Sequence, residues 1–245
     1  MKLKITFEAE KNLILSKEYR RHFISLLKSA FEKVGILDKQ LSKKEYKPYT
    51  FSVYLGEEFN IDKEIQSGKV ISLQFSSGDP VIVTSFYNGI LELKKNDCIV
   101  FNKVNLYIKD IKLMPYLKIN STSAIFKTLG VTVLNDPGSP PDDFKKWYII
   151  PTDNLERFNE CLAQRTNSRY QFLTKKAGIH PIKLSLPDGS FIKETIVQHY
   201  GGYVRGFRGI FKLEGTPEIL QFVYDYGLGI RTGQGFGMLE IVKKE

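Results

Sequence analysis

The chain is poor in the residues that build metal centres and disulfide frameworks. It holds two cysteines, Cys98 and Cys161, and three histidines, His22, His180 and His199, all far apart. Neither set has the spacing of a zinc site, and two distant cysteines make no disulfide framework, so both thiols are expected to be buried. No apolar run approaches the ~18 residues of a membrane span, and the opening MKLKITFEAEK alternates polar and apolar residues without a secretory core. A soluble, cytoplasmic protein with no membrane partner is expected. Acid is also in short supply. Against 36 Lys and Arg stand 27 Asp and Glu, a net charge of +9. The excess is shared between the two halves and favours a polyanionic partner such as nucleic acid. With 245 residues, 42% of them hydrophobic, the chain can bury one large core or two of roughly 120 residues each.

The order of elements can be read from periodicity. KLKITFEAE alternates as a strand, and LSKEYRRHFISLLKSAFEKVG follows as a helix between a cap at Ser16 and a stop at Gly35. Its apolar stripe is Phe23, Ile24, Leu27, Ala30, Phe31 and Val34. At ~100° per residue, Lys17, Arg21, Ser25 and Lys28 share one flank and His22, Ser29 and Lys33 the other. KPYTFSVYLG and KVISLQFSS read as strands. DPVIVTSFYNGILELK reads as a helix with Asp79 as N-cap and Pro80 at its first position, and DCIVFNKVNLYIKDIKLM as strand. The order then restarts. STSAIFKTLGVTVLN is a strand, DNLERFNECLAQRTNSRY a helix capped by Asp153 or Asn154, HPIKLSLPDG and SFIKETIVQHY strands. YVRGFRGIFKLEG completes a hairpin, TPEILQFVYDYG is a helix from Thr216 to Gly227, and MLEIVKK is the last strand. Two strand-helix-strand-strand-helix-strand units predict an α+β protein of two tandem ferredoxin-like (RRM-like) domains, residues 1–120 and 121–245.

Before the last strand runs GLGIRTGQGFGMLEIV, with Gly227, Gly229, Gly233, Gly235 and Gly237. A dinucleotide fingerprint needs a strand, then the glycine turn, then a helix; here the order is helix, glycines, strand. A phosphate-binding Walker loop needs Gly-Lys-Ser/Thr, which this stretch lacks. A nucleotide-cofactor enzyme is therefore disfavoured. What remains is a glycine-rich loop over 227–237, a flexible backbone rich in free N–H groups with Arg231 at its tip and Thr232 and Gln234 beside it. It can hold an extended phosphate backbone or simply connect to the last strand.

YGLGIRTGQGFGMLEIV resembles the C-terminal glycine-rich signature of the CRISPR-associated endoribonucleases that process precursor crRNA, members of the repeat-associated (RAMP) superfamily. KPYTFS, IFKTLGVTVLN and GYVRGFRGIFKLEGTPEILQFVYDYG resemble further segments of that family, so the likeness spans essentially the whole chain. It implies tandem ferredoxin-like domains, CRISPR repeat RNA as partner, and a CRISPR effector complex as a further one. It also implies metal-independent cleavage without a cofactor, in which a ribose 2′-OH attacks the adjacent phosphate to leave a 2′,3′-cyclic phosphate and a 5′-OH. By the same likeness Gly229, Arg231, Thr232, Gln234, Gly235 and Gly237 of the loop are candidate RNA contacts. So are Arg21 and the hairpin residues Arg205 and Arg208, among which Tyr203, Phe207 and Phe211 are interleaved for stacking.

The chain departs from the family at one point. Many members place a histidine, the favoured general base, shortly before Lys-Pro-x-Thr-Phe-Ser; here the segment reads LSKKEYKPYTFS. The candidates left are Ser42, Tyr46 and Lys47 in that segment, Lys28 on the first helix, and His22 if the helix presents it. Lysine acts as an acid or a charge stabiliser, and as a base only when its pKa is depressed. The sequence therefore supports a repeat-RNA endoribonuclease, or a binding protein or effector subunit of the same fold that does not cleave, as a monomer or homodimer.

Overall fold

The computed structural model describes residues 1–36, 46–56, 59–61, 64–95, 98–101 and 104–244. Its strands are β1 (Lys2–Ala9), β2 (Leu13–Leu15), β3 (Thr50–Tyr54), β4 (Phe59–Ile61), β5 (Ile65–Ser67), β6 (Val70–Ser76), β7 (Ile99–Phe101), β8 (Val104–Met114), β9 (Ser123–Thr128), β10 (Ile182–Ser185), β11 (Phe191–His199), β12 (Gly202–Gly215) and β13 (Leu239–Lys244). The helices are α1 (Arg20–Lys33), α2 (Pro80–Lys94), α3 (Phe144–Trp147), α4 (Leu155–Thr174) and α5 (Pro217–Tyr226).

The first sheet has the order β3-β6-β1-β8-β7 and the second β10-β12-β9-β13, with β11 paired along the far half of β12. Leaving aside the edge strand β7, both have the same antiparallel order, in which the first strand of each unit lies inside, between the third and the fourth. This is the ferredoxin-like arrangement, present twice. β1 shows why. Leu3, Ile5, Phe7 and Ala9 are buried at period two, and Ile5 lies opposite Leu73 on one side and Ile111 on the other. Phe23, Leu27, Ala30 and Phe31 of α1 and Ile82, Phe86 and Ile90 of α2 complete that core. In the second unit Phe126, Phe211 and Leu213 of the sheet meet Phe158 and Leu162 of α4 and Ile219, Leu220 and Val223 of α5.

Local signals were reliable where a cap is chemical. Asp79 accepts from the Val81 N–H with Pro80 next, and Thr216 accepts from the Ile219 N–H with Pro217 next. Asn154, not Asp153, caps α4. Elsewhere the structure corrects the reading. α1 begins at Arg20, not after Ser16: Leu13–Leu15 forms a strand that pairs with β5, and tight turns with i→i+3 bonds from Tyr19 to Ser16 and Arg21 to Glu18 lead into the helix. DCIVFNKVNLYIKDIKLM is two strands, β7 and β8, and SAIFKTLGVTVLN is one strand ending at Thr128 followed by isolated bridges. Cys161 is buried as expected, but Cys98 is only half-buried, at the start of the edge strand β7.

Candidate nucleic-acid interface

The two units meet along β3, where side chains of the first donate to backbone carbonyls of the second. Thr50 Oγ1 donates to the carbonyl of Phe236 at 3.0 Å, Ser52 Oγ to that of Leu129, and Arg20 Nε to that of Gly235 at 3.4 Å. Lys2 Nζ donates to the carbonyl of Leu239 at 2.7 Å and sits 3.5 Å from the Tyr224 ring centre. Burial there drives its pKa down to about 7.

The glycine stretch is not the flexible loop that composition suggested. Its backbone doubles back on itself: Leu228 N–H donates to Gly237 O, Gly237 N–H to Val131 O and Ile230 N–H to Val133 O, at 2.8, 2.9 and 2.8 Å. Two of its glycines are there for close approach at positive φ. A Cβ on Gly229 (φ +80°) would stand 2.2 Å from the Val133 carbonyl oxygen, and one on Gly237 (φ +75°) 2.0 Å from that of Leu228. Arg169, fully buried on α4, clamps the start of the stretch, donating to the carbonyls of Tyr226, Gly227 and Gly229 at 2.8–2.9 Å.

At the tip of the stretch Arg231 is exposed, in the left-handed region (φ +58°), and a single 3₁₀ turn, Thr232–Gln234, follows it. The Arg231 guanidinium donates to Gln234 Oε1 at 3.5 Å and to Tyr148 Oη at 3.4 Å, both at the long limit of a hydrogen bond. Gln234 Oε1 also faces His199 Nε2 at 3.1 Å. An amide oxygen only accepts, so this contact puts the ring proton on Nε2. His199 is buried at the end of β11, edge-on to Phe236 and Tyr200, and its Nδ1 has no hydrogen-bond partner among the described residues. Burial, then the nearby charges of Arg20 and Arg231, lower its pKa against the opposing pull of Gln234 and Glu18. Beside it the hairpin tip is latched to the first unit: Glu18 accepts from the Gly201 N–H, and Arg21 lies 5.2 Å from the Tyr200 ring centre.

Further along the same joint opens a cleft of about 370 Å³, lined from the first unit by Lys17, Tyr19, Arg20 and Tyr54 and from the second by Ile196 and Arg208, among others. Among the described residues no Asp or Glu lines it. Tyr54 and Ile196 are exposed apolar walls, Arg208 is exposed, and Arg20 is near enough to feel its charge. A pocket with apolar walls, cations and no carboxylate suits a flat aromatic group carrying negative charge.

The other sequence candidates are distributed unevenly. Lys28 is exposed on α1. Lys47 runs against Gly233, so that a Cβ on that glycine would meet its Cγ at 2.6 Å. The Tyr46 ring packs edge-on to Phe172 of α4 at 5.5 Å. His22 is half-buried and turned to Phe101 of β7, 5.2 Å between ring centres, with its pKa lowered by burial and by Arg21. Thr232, Gly229, Gly235 and Gly237 are buried, and Gln234 is half-buried. Ser42 lies outside the described residues.

Arg205 departs from its expected place. Its guanidinium is buried, bonded to both carboxylate oxygens of Asp153, to Glu194 and to the carbonyl of Tyr148, so it braces the hairpin from within. Those two carboxylates raise its pKa further. Sequence reasoning passed over Arg20 and Arg169, and read His199 no more finely than as a structural residue or an RNA contact. Only Arg20 carried a usable signal: at four-residue spacing from Ile24 it falls on the apolar stripe of α1, where a charged residue must find a polar partner.

Among the described residues no helix is long and apolar enough to cross a membrane. The family model for the C-terminal part of CRISPR associated protein Cas6 matches residues 114–241. Over 227 residues the chain is 26% identical to a CRISPR-associated endoribonuclease-like protein, Cas6, of Pyrococcus furiosus, covering 87% of this chain and 88% of the relative. It is 26% identical over 202 residues to CRISPR-associated endoribonuclease Cas6 1 of Methanocaldococcus jannaschii, covering 80% of this chain and 74% of that one. A solved structure described as an RAMP protein binding different RNA substrates superposes with a TM-score of 0.83 at 23% identity, over 99% of this chain and 100% of the other; that likeness is one of fold.

Proposed function

The chain belongs to the CRISPR-associated Cas6 family, and from that premise we propose that it binds CRISPR repeat RNA along the joint between its two ferredoxin-like units and cleaves it without a metal ion. The observation that carries the binding is the cleft between the units, which gathers Lys17, Arg20 and Arg208 around apolar walls with no carboxylate among the described residues. Arg21 and Arg231 stand exposed on either side of the hairpin tip and extend the basic surface. Cations set along a groove neutralise phosphates, and exposed rings between them stack bases. We divide the chain into domains at residues 120/121, between β8 and β9, and take it to act in the cytoplasm as a monomer or homodimer.

In cleavage the ribose 2′-OH loses its proton as its oxygen bonds to phosphorus. The bond from phosphorus to O5′ breaks, and the leaving oxygen takes up a proton, giving a 2′,3′-cyclic phosphate and a 5′-OH. Each positioned proton-transfer group typically contributes about 10²–10⁴-fold, and fixed charge on the phosphorane a comparable amount. Lys28 and Lys47 are assigned these tasks, with Tyr46 and Ser42 as neighbouring hydroxyls. His22 is the less suitable group because its ring is engaged with Phe101. A second reading, a repeat-RNA-binding protein or effector subunit that does not cleave, is favoured by the same engagement of His22 and by the lack of a histidine in LSKKEYKPYTFS.

The test is incubation of the protein with repeat RNA in EDTA, beside RNAs carrying one 2′-deoxy substitution at each position. Cleavage that survives EDTA and vanishes at a single substitution supports 2′-OH attack. Tight binding without cleavage moves the protein to the second reading.

A further inference from the structure

We infer that His199 is a positioning residue for a phosphate site at Arg231, acting through Gln234; this rests on the proposal that the protein binds RNA. Arg231 is an exposed cation on a backbone held in the left-handed region, and among the described residues its side chain has two hydrogen-bond partners, both at the long limit of a hydrogen bond. Left to itself such a side chain samples many rotamers, and ordering it on a phosphate is entropically unfavourable. Gln234 removes part of that freedom because its Oε1 accepts from Arg231. Gln234 is itself held three residues downstream by the His199 Nε2–H at 3.1 Å.

The histidine is suited to this role and to little else. It is buried between Phe236 and Tyr200, so its ring cannot rotate freely and cannot reach RNA directly. One ring nitrogen is spent on Gln234, and the other is buried without a hydrogen-bond partner among the described residues. An unpaired buried nitrogen is unfavourable to stability, and an apolar side chain of similar volume would fill the same space without it. What the histidine adds is a fixed donor aimed at Gln234. The result is a chain His199–Gln234–Arg231 that starts in the core and ends on one outward guanidinium with N–H groups free to meet phosphate oxygens.

The experiment is a double-mutant cycle read by repeat-RNA affinity and its salt dependence, using Arg231→Ala, Gln234→Met, His199→Ala and the pairs with Arg231→Ala. Arg231→Ala should weaken binding about tenfold and lower the slope of log K against log salt by about 0.7, one phosphate contact on a single strand. Gln234→Met and His199→Ala should each weaken binding severalfold, with a fall in slope no larger than that of Arg231→Ala, and should do nothing further once Arg231 is alanine. A variant that merely lowers the folded fraction leaves the slope unchanged. If His199→Ala fails to fold, Gln234→Met decides alone. Losses that add to that of Arg231→Ala overturn the positioning role while leaving RNA binding intact. Failure of the wild-type protein to bind repeat RNA overturns the RNA reading itself, and this inference with it.

Discussion

Arg169 on α4 donates from Nη1 to the carbonyl of Gly227 at 2.9 Å, and the same guanidinium reaches Tyr226 and Gly229. Among the described residues no carboxylate is a hydrogen-bond partner of Arg169, and burial depresses its pKa to about 10. Three carbonyls and the Phe222 ring, 5.5 Å away, hold the charge in place of a counter-ion. Arg169→Met should therefore destabilise the fold by about 3–5 kcal/mol, since it leaves three buried acceptors unpaired. Urea denaturation checks this, and a loss below about 1 kcal/mol would deny the clamp its role.

Gly237→Ala should cost at least about 2 kcal/mol, because the new methyl meets the Leu228 carbonyl and φ is +75°. Gly68→Ala is the control: φ there is not positive and nothing lies within 4 Å of its would-be Cβ, so it should be near neutral. Thermal melts of the two variants side by side test the packed reading of the glycine stretch.

Two arginines three residues apart should fail in different ways. Arg205→Ala breaks a buried charge network and should lower stability by about 3 kcal/mol or more. Arg208→Ala should leave stability within about 0.5 kcal/mol and instead weaken RNA binding and flatten its salt dependence. Paired melting and filter-binding measurements would expose any exchange of these roles.

Lys28→Ala combined with Lys47→Ala should slow cleavage by about 10²-fold or more while repeat RNA still binds. Single-turnover kinetics with saturating protein isolates the chemical step. An unchanged rate would remove both lysines from the catalytic assignment.

The lowered pKa of His199 makes a statement about acid. Between its folded value and the ordinary ~6.5, the unfolded chain binds more protons at this group than the folded one does. Its contribution is therefore fully present above about pH 6.5 and is lost as pH falls below that. Stability should drop as pH falls below about 6.5, and drop less in His199→Gln. Equal losses in the two proteins would locate the acid sensitivity elsewhere, His22 being the next group to examine.

What the sequence revealed and what it hid follow from the range of the forces involved. The starts of α2 and α5 were legible because Asp79-Pro80 and Thr216-Pro217 satisfy their own helix ends within three residues. The twofold strand order was legible because each unit repeats one alternation of periods. β2, β4 and β5 were not, since three-residue strands have no period of their own and exist only by pairing with one another. Arg205 looked like a surface cation among aromatics because its partner Asp153 is 52 residues away. The glycines suggested looseness, but the carbonyls that exclude a side chain there come from Val133 and Leu228, brought in by the fold. His199 carried no local signal at all; Gln234 reaches it from 35 residues downstream.

The bonds from Lys2, Thr50 and Ser52 to the carbonyls of Leu239, Phe236 and Leu129 mean that each unit finishes the other's hydrogen bonding. Two similar domains joined in this way should melt together: calorimetry should show one transition, and an isolated second half should lose the shape of its glycine stretch. The groove between them then has a width set by the protein itself, so on the proposed RNA-binding reading adaptation falls to the RNA, as a single strand or a splayed base.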